Sequence, residues 1–239
     1  MQILLLVNAS SVSGQQHKMI WKEGDKIYIS GHGTAAVAER TIWPGNSIIP
    51  IPRLLINYTV SSTDVNDTDI GTGAQQVEVT YLNKTLERKS LILTLNGQTG
   101  VEIEALYIEQ LTVMAVGSGG TNAGIVYIGT GAVVAGVPAV VYDLIEIGHS
   151  VSQTVRFTVP IGQKFTVESI KVYKEVAVTD VTIQLCKTLA GITYVVMHLL
   201  EGDDINYVLR GGEIFSLKHL NATVGGEVYL YVTGKLESV

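Results

Sequence analysis

Three stretches of the chain gather residue types able to do chemistry. Asp64-Val-Asn-Asp-Thr-Asp69, followed by Gly71, sets three carboxylates and an amide within six residues, an oxygen-rich set of the kind that surrounds calcium. The EF-hand order is missing, because the glycine falls two positions late and Gln75, not a glutamate, stands twelfth from Asp64. An Asx-rich turn is the reading this spacing favours. Gly31-His-Gly-Thr-Ala-Ala36 follows the strand-like Lys26–Ser30 and fits a Gly-x-Gly-x-x-Ala phosphate turn, which needs a helix N-terminus and a βαβ unit behind it. Trp43-Pro-Gly45 stops any such helix within a few residues, so a plain glycine turn is expected. Glu102 and Glu104 stand two apart on a strand and share one face, opposite Val101, Ile103 and Ala105. A solvated face suits them better than an acid–base pair.

The remaining candidates are isolated. His17, His32, His149, His198 and His219 show no i, i+2 or i, i+4 pairing, so spacing offers no zinc dyad. His198, between Met197 and Leu199, reads as a strand residue, and Cys186, the single cysteine, reads as an inert core thiol. No Gly-x-Ser-x-Gly elbow occurs. No catalytic, cofactor-binding or metal-ligating residue is therefore assigned, and the chain is expected not to be an enzyme and to carry no cofactor.

Strands must position everything, because the apolar pattern alternates almost throughout. Val77–Tyr81, Val101–Leu106, Val155–Val159, Val181–Leu185 and Val228–Val232 each put one apolar face on a core. Asn96-Gly97, Gly117–Gly120, Gly129–Gly131, Gly211-Gly212 and Gly225-Gly226 supply turn signals between them. Only Ala35–Arg40 and Ile108–Val113 have a helical alternative, and the second is equally a strand. The expected fold is all-β, with β-sandwich or jelly-roll units, two of them packed in tandem, and an irregular N-terminal arm. The boundaries read as 1–53 for arm and linker, with a hairpin near Glu23-Gly-Asp25, 54–148 for a first β unit and 149–239 for a second. A single jelly roll built from both halves is the competing arrangement.

Composition removes several classes of function. At 239 residues and 46% hydrophobic the chain can bury enough surface to offset its backbone entropy, so disorder is excluded. A net charge of -6, with 16 Lys and Arg and no basic run, gives no electrostatic footprint for nucleic acid or anionic lipid. One cysteine allows no intrachain disulfide, which fits a protein made in a reducing cytoplasm. The opening Met-Gln-Ile-Leu-Leu-Leu-Val lacks a basic flank and stops at Asn8, so it is not read as a signal peptide, and no apolar run is long enough for a membrane helix. Five Asn-x-Ser/Thr triplets, at Asn8, Asn57, Asn66, Asn83 and Asn221, are accordingly read as chance.

One long pattern remains. Trp43-Pro-Gly45 and Ile49-Pro-Ile-Pro52 lead into Ser61-Ser62-Thr63, Asn66-Asp67-Thr68, Gly71-Thr-Gly-Ala74 and Val77-Glu-Val79, then Leu95-Asn-Gly-Gln-Thr99 and Gly117-Ser-Gly-Gly-Thr-Asn122-Ala-Gly124. Over these residues the chain resembles virion structural proteins of tailed bacteriophages, the minor-capsid, head-fibre and decoration-like β proteins. Phe157-Thr-Val-Pro-Ile-Gly162 resembles the entry to the C-terminal β unit of that group. The first 42 residues lie outside the likeness. The resemblance implies a non-enzymatic virion component attached to the capsid as a decoration, cement or head-fibre protein. Its partners would be the major capsid protein or neighbouring structural subunits, with a homo-oligomer expected and neither nucleic acid nor membrane bound. A tail, neck or baseplate station and a carbohydrate-binding receptor-recognition role are the alternatives. The Gly-Thr-Gly-Ala and Leu-Asn-Gly elements enter as turn and strand signals, not as active-site residues.

Overall fold

The computed structural model describes residues 26–36, 38–175, 178, 181–199, 205–220 and 226–239. Among them there is no helix, and the strands form small antiparallel sheets, so the chain is all-β. In chain order they are β1 (Lys26–Thr34), β2 (Arg40–Thr41), β3 (Ile56–Ser62), β4 (Ala74–Leu82), β5 (Arg88–Thr94), β6 (Val101–Ala105), β7 (Tyr107–Val116), β8 (Val126–Val134) and β9 (Val137–Ile145). There follow β10 (Arg156–Thr158), β11 (Gln163–Lys174), β12 (Thr182–Leu189), β13 (Ile192–Leu199), β14 (Tyr207–Arg210), β15 (Ile214–Leu220) and β16 (Glu227–Ser238).

Four sheets result. Two, in the orders β6-β3-β8-β9 and β5-β4-β7, lie between residues 56 and 145. Their inward side chains make one apolar cluster around Tyr58, Val77, Leu111 and Ile128. The other two, β1-β16-β11-β14 and β10-β15-β12-β13 with β2 beside β15, make a second cluster around Ile27, Phe165, Phe215 and Leu230. Period-two burial explains the strands: in β16, Val228, Leu230, Val232 and Leu236 are buried while Tyr229 faces out.

The N-terminal residues do more than the reading of an irregular arm allows. β1 pairs along its whole length with β16, Lys26 opposite Lys235 and Thr34 opposite Glu227, although some 200 residues separate them. From Lys26 the chain therefore runs inside the sheets of the second unit, crosses to the first for β3–β9, and returns. The crossing is a strap. Ile42 donates its amide to Leu217 and accepts from Val155, whereas the next side chain, Trp43, is buried in the first cluster and donates its indole N–H to Ser47 O at 2.9 Å. Gly31 and Gly33 face inward on β1 where this strap passes. A Cβ at Gly31 would stand 2.6 Å from Val155 Cγ2, and one at Gly33 would stand 3.0 Å from the Trp43 carbonyl oxygen. Close backbone approach, not a phosphate, is what the Gly-x-Gly spacing serves here.

Local readings are decided as well. Ala35 and Ala36 are buried and non-helical, Ala35 donating to Gly226 O, and Ile108–Val113 belongs to β7 because β4 pairs with it. Gly129–Gly131 lies inside β8 at a register irregularity, and the reversal falls at Ala135-Gly136 instead. The expected hairpin at residues 23–25 lies outside the described residues.

Candidate functional site

The acidic loop folds around one carboxylate. Asp67 is fully buried, and its oxygens accept from the Ser62 hydroxyl and from the backbone amides of Ala74 (2.6 Å), Ala123 (2.8 Å) and Gly124 (2.9 Å). Its own carbonyl accepts from Gly97 N at 2.8 Å. Asp64 caps Asn66 N at 2.8 Å, completing a side-chain-bonded turn. Donors converging on Asp67 make the surroundings anion-accepting, the opposite of a cation cage, so its lone pairs are already occupied. The glycines act by proximity. Neither Gly71 nor Gly73 adopts positive φ, contrary to expectation for a turn glycine; a Cβ would meet Asn66 O at 1.9 Å or Asp67 Oδ1 at 2.0 Å. Ser61–Thr63, Asn66–Thr68, Gly71–Ala74, Leu95–Gly97 and Asn122–Gly124 thus meet at a single hub, which locks β3, β4 and β8 at one end.

A second constellation joins the two units. Arg156 Nη2 reaches Asp143 Oδ2 at 3.0 Å with both side chains buried, Arg156 Nη1 donates to Tyr142 O at 3.1 Å, and the guanidinium lies 5.2 Å over the Tyr107 ring. Thr154 Oγ1 donates to Asp143 at 2.7 Å. Burial is the largest single influence and opposes the Arg156 charge, but Asp143, Tyr107, Glu109 and Tyr58 together outweigh it and hold the guanidinium more firmly protonated than usual. Beside it, Arg88 Nε contacts Glu109 Oε2 at 2.5 Å and Arg88 Nη2 donates to Thr158 O at 3.0 Å, while Thr158 N donates back to Glu109 at 3.0 Å. Every one of these side chains acts as a fastener.

His32 closes the same junction on another side. Its Nε2 lies 2.8 Å from Glu146 Oε2 and its Nδ1 3.1 Å from Glu227 Oε2, with Tyr229 stacked on the ring. Carboxylates only accept, so both ring nitrogens must donate, which requires the imidazolium. The Glu146 hydrogen bond raises the His32 pKa above 6.5, opposed by burial and helped by Glu227. The His32 hydrogen bond in turn holds Glu146 below 4.5, with His149 adding a smaller pull. A raised histidine stabilises the fold fully below its unfolded pKa and loses that contribution as pH climbs through the folded value. A depressed carboxylate contributes above its unfolded pKa and loses it as pH falls. The clasp is therefore strongest between about pH 4.5 and 6.5. Thermal melts should show stability falling by about 1 kcal/mol as pH rises from 6 to 9, and His32→Gln should flatten that slope; an unchanged slope would contradict the clasp.

The other candidates fall apart in space. Glu102 and Glu104 are exposed on β6 opposite Ile103 and Ala105. His198 lies on β13, its Nε2 3.0 Å from Gln184 Nε2. Cys186 is buried, and burial pushes its thiol up to about 11, which leaves it inert. Burial lowers the pKa of His219, keeping that ring neutral. His17 lies outside the described residues. Among the described residues no three His, Cys, Asp or Glu side chains could hold a metal together, and no helix is long and apolar enough to cross a membrane.

The concave feature at the junction is a cleft of about 630 Å³ between the outer face of β4, β5 and β7 and residues of β1 and 151–163. Periodicity alone could not locate it, since its walls come from strands far apart in sequence. No family model, curated protein or solved structure matches the chain.

Proposed function

We propose that the chain is a non-enzymatic structural subunit of a tailed-phage virion, made in the host cytoplasm, that self-associates and is carried on the head as a decoration, cement or head-fibre protein. A tail, neck or baseplate station is the second placement. The resemblance running from Trp43 to Gly124 supports the virion reading, and five of its motifs gather at the Asp67 hub, where they build structure. The architecture we infer is two β-sandwiches in tandem, supported by apolar clusters that pair the four sheets two by two. A smaller cluster of Leu82, Tyr107 and Ile214 lies between the pairs, whereas four propeller blades would share an extensive apolar face with both neighbours.

One observation carries the assembly reading. Sheet edges are ordinarily guarded against pairing with other chains by charges, proline, shortness or cover. Here β5 carries Arg88 and Lys89, β6 carries Glu102 and Glu104, β9 carries Pro138, and β7 is covered by residues 150–152. β14 has four residues and an arginine. β13, Ile-Thr-Tyr-Val-Val-Met-His-Leu, has no Asp, Glu, Lys, Arg or Pro, and Ile192, Tyr194 and Val195 are each nearly half exposed. Among the described residues no strand pairs with the free edge of β13, and an apolar edge of eight residues is a template for another copy of the chain. Val195→Lys combined with Ile192→Lys should leave a folded monomer, by light scattering and circular dichroism, where the unmodified chain forms oligomers, and should lower its copy number in purified heads. Equal self-association and equal incorporation would refute the proposal.

A further inference from the structure

We propose that the cleft between the two units is a binding site for a neutral saccharide. Its floor is the outward face of the β4 sheet: Val77 and Val79 point into the core, so Glu78 and Thr80 point out, opposite Thr112 and Gln110 on β7. Glu78 lines the cleft at only 8% exposure, its carboxylate tip open to the cleft and bonded to no other described residue. From the facing unit, Gln163 lines the same space, and its buried Oε1 also lacks a partner. Buried polar groups are ordinarily satisfied, so an acceptor left without a partner is a cost that a ligand can relieve. Two acceptors on opposite walls call for a ligand rich in donors.

Charge narrows the class. The cations in the walls are already matched, Arg88 by Glu109, Lys89 by Glu87 and Arg156 by Asp143, so an anion would find no free partner. A cation would meet Glu78, the one unmatched charge among the described wall residues, but would leave the neutral Gln163, Thr80, Thr112 and Gln110 without a use. A hydroxylated neutral ligand donates to Glu78 and Gln163 and exchanges hydrogen bonds with Thr80, Thr112 and Gln110. Tyr28, 56% exposed on β1, offers a ring at the rim for a sugar face. The volume falls within the roughly 300–1,000 Å³ of small-ligand sites. The site does not depend on the virion reading, and either can fail without the other.

The test is saturation-transfer NMR on the intact chain with maltose, cellobiose, lactose and N,N′-diacetylchitobiose, using spermidine and citrate as charged controls. At least one disaccharide should bind, and spermidine and citrate should not displace it. Glu78→Gln and Tyr28→Ala should each weaken that binding at least tenfold while leaving the thermal melt no lower than that of the parent. Absence of binding to all four sugars, binding unaffected by both substitutions, or displacement by spermidine would overturn the proposal.

Discussion

Asp67→Ala should cost about 4 kcal/mol or more of stability, because it strips the acceptor from a hydroxyl and three backbone amides at once. Each buried donor left unpaired costs about 1–3 kcal/mol, and Asp67 serves Ser62, Ala74, Ala123 and Gly124. Asp67→Asn is the informative companion. It keeps the volume but turns an NH2 group toward amides that also donate, so it should recover only part of the loss. Gly73→Val attacks the same hub sterically, since its Cβ would enter the space of Asp67 Oδ1 and Ala123 Cβ, at a cost of about 1–3 kcal/mol. Urea unfolding midpoints check all three. Calcium or a chelator should leave the parent melt unchanged; a calcium-dependent rise of several degrees, abolished by Asp67→Ala, would make the loop a metal site after all.

Arg156→Ala should cost about 3–5 kcal/mol, the usual penalty for stranding one member of a buried ion pair. What sets this pair apart is its place, because Asp143 lies near the end of β9 in the first unit and Arg156 begins β10 in the second. Losing the guanidinium also removes its contacts with Tyr142 O and the Tyr107 ring. The parent should unfold in one calorimetric transition, and Arg156→Ala should separate it into two. Asp143→Leu with Arg156→Met, which removes both charges, should be milder than either single loss. A single undivided transition in Arg156→Ala with less than 1 kcal/mol lost would show that the pair does not couple the units.

Much of the fold was legible because its signals are local. Val77, Val79 and Tyr81 alternate with polar residues over a few positions, and that pattern survives as β4. The Asp64–Gly73 turn was legible for the same reason, since Asp64 and Asn66 bond over two residues. Which carboxylate would be central was not, because three of the four donors to Asp67 lie seven or more residues away. Gly31 and Gly33 carried a readable motif with an unreadable cause, for their neighbours are Val155 and Trp43. The clasp left no trace: His32 meets Glu146 and Glu227 across 114 and 195 residues. β13 announced itself as apolar, yet whether an apolar strand is central or an edge depends on topology, which periodicity does not encode.

Image reconstruction of purified phage particles bears most directly on the proposed structural role. Density for the subunit is expected at symmetry-related positions on the head, with the β13 edge of one copy against its neighbour. Particles from which the chain is absent, or in which it occurs without symmetric contacts, would contradict that role.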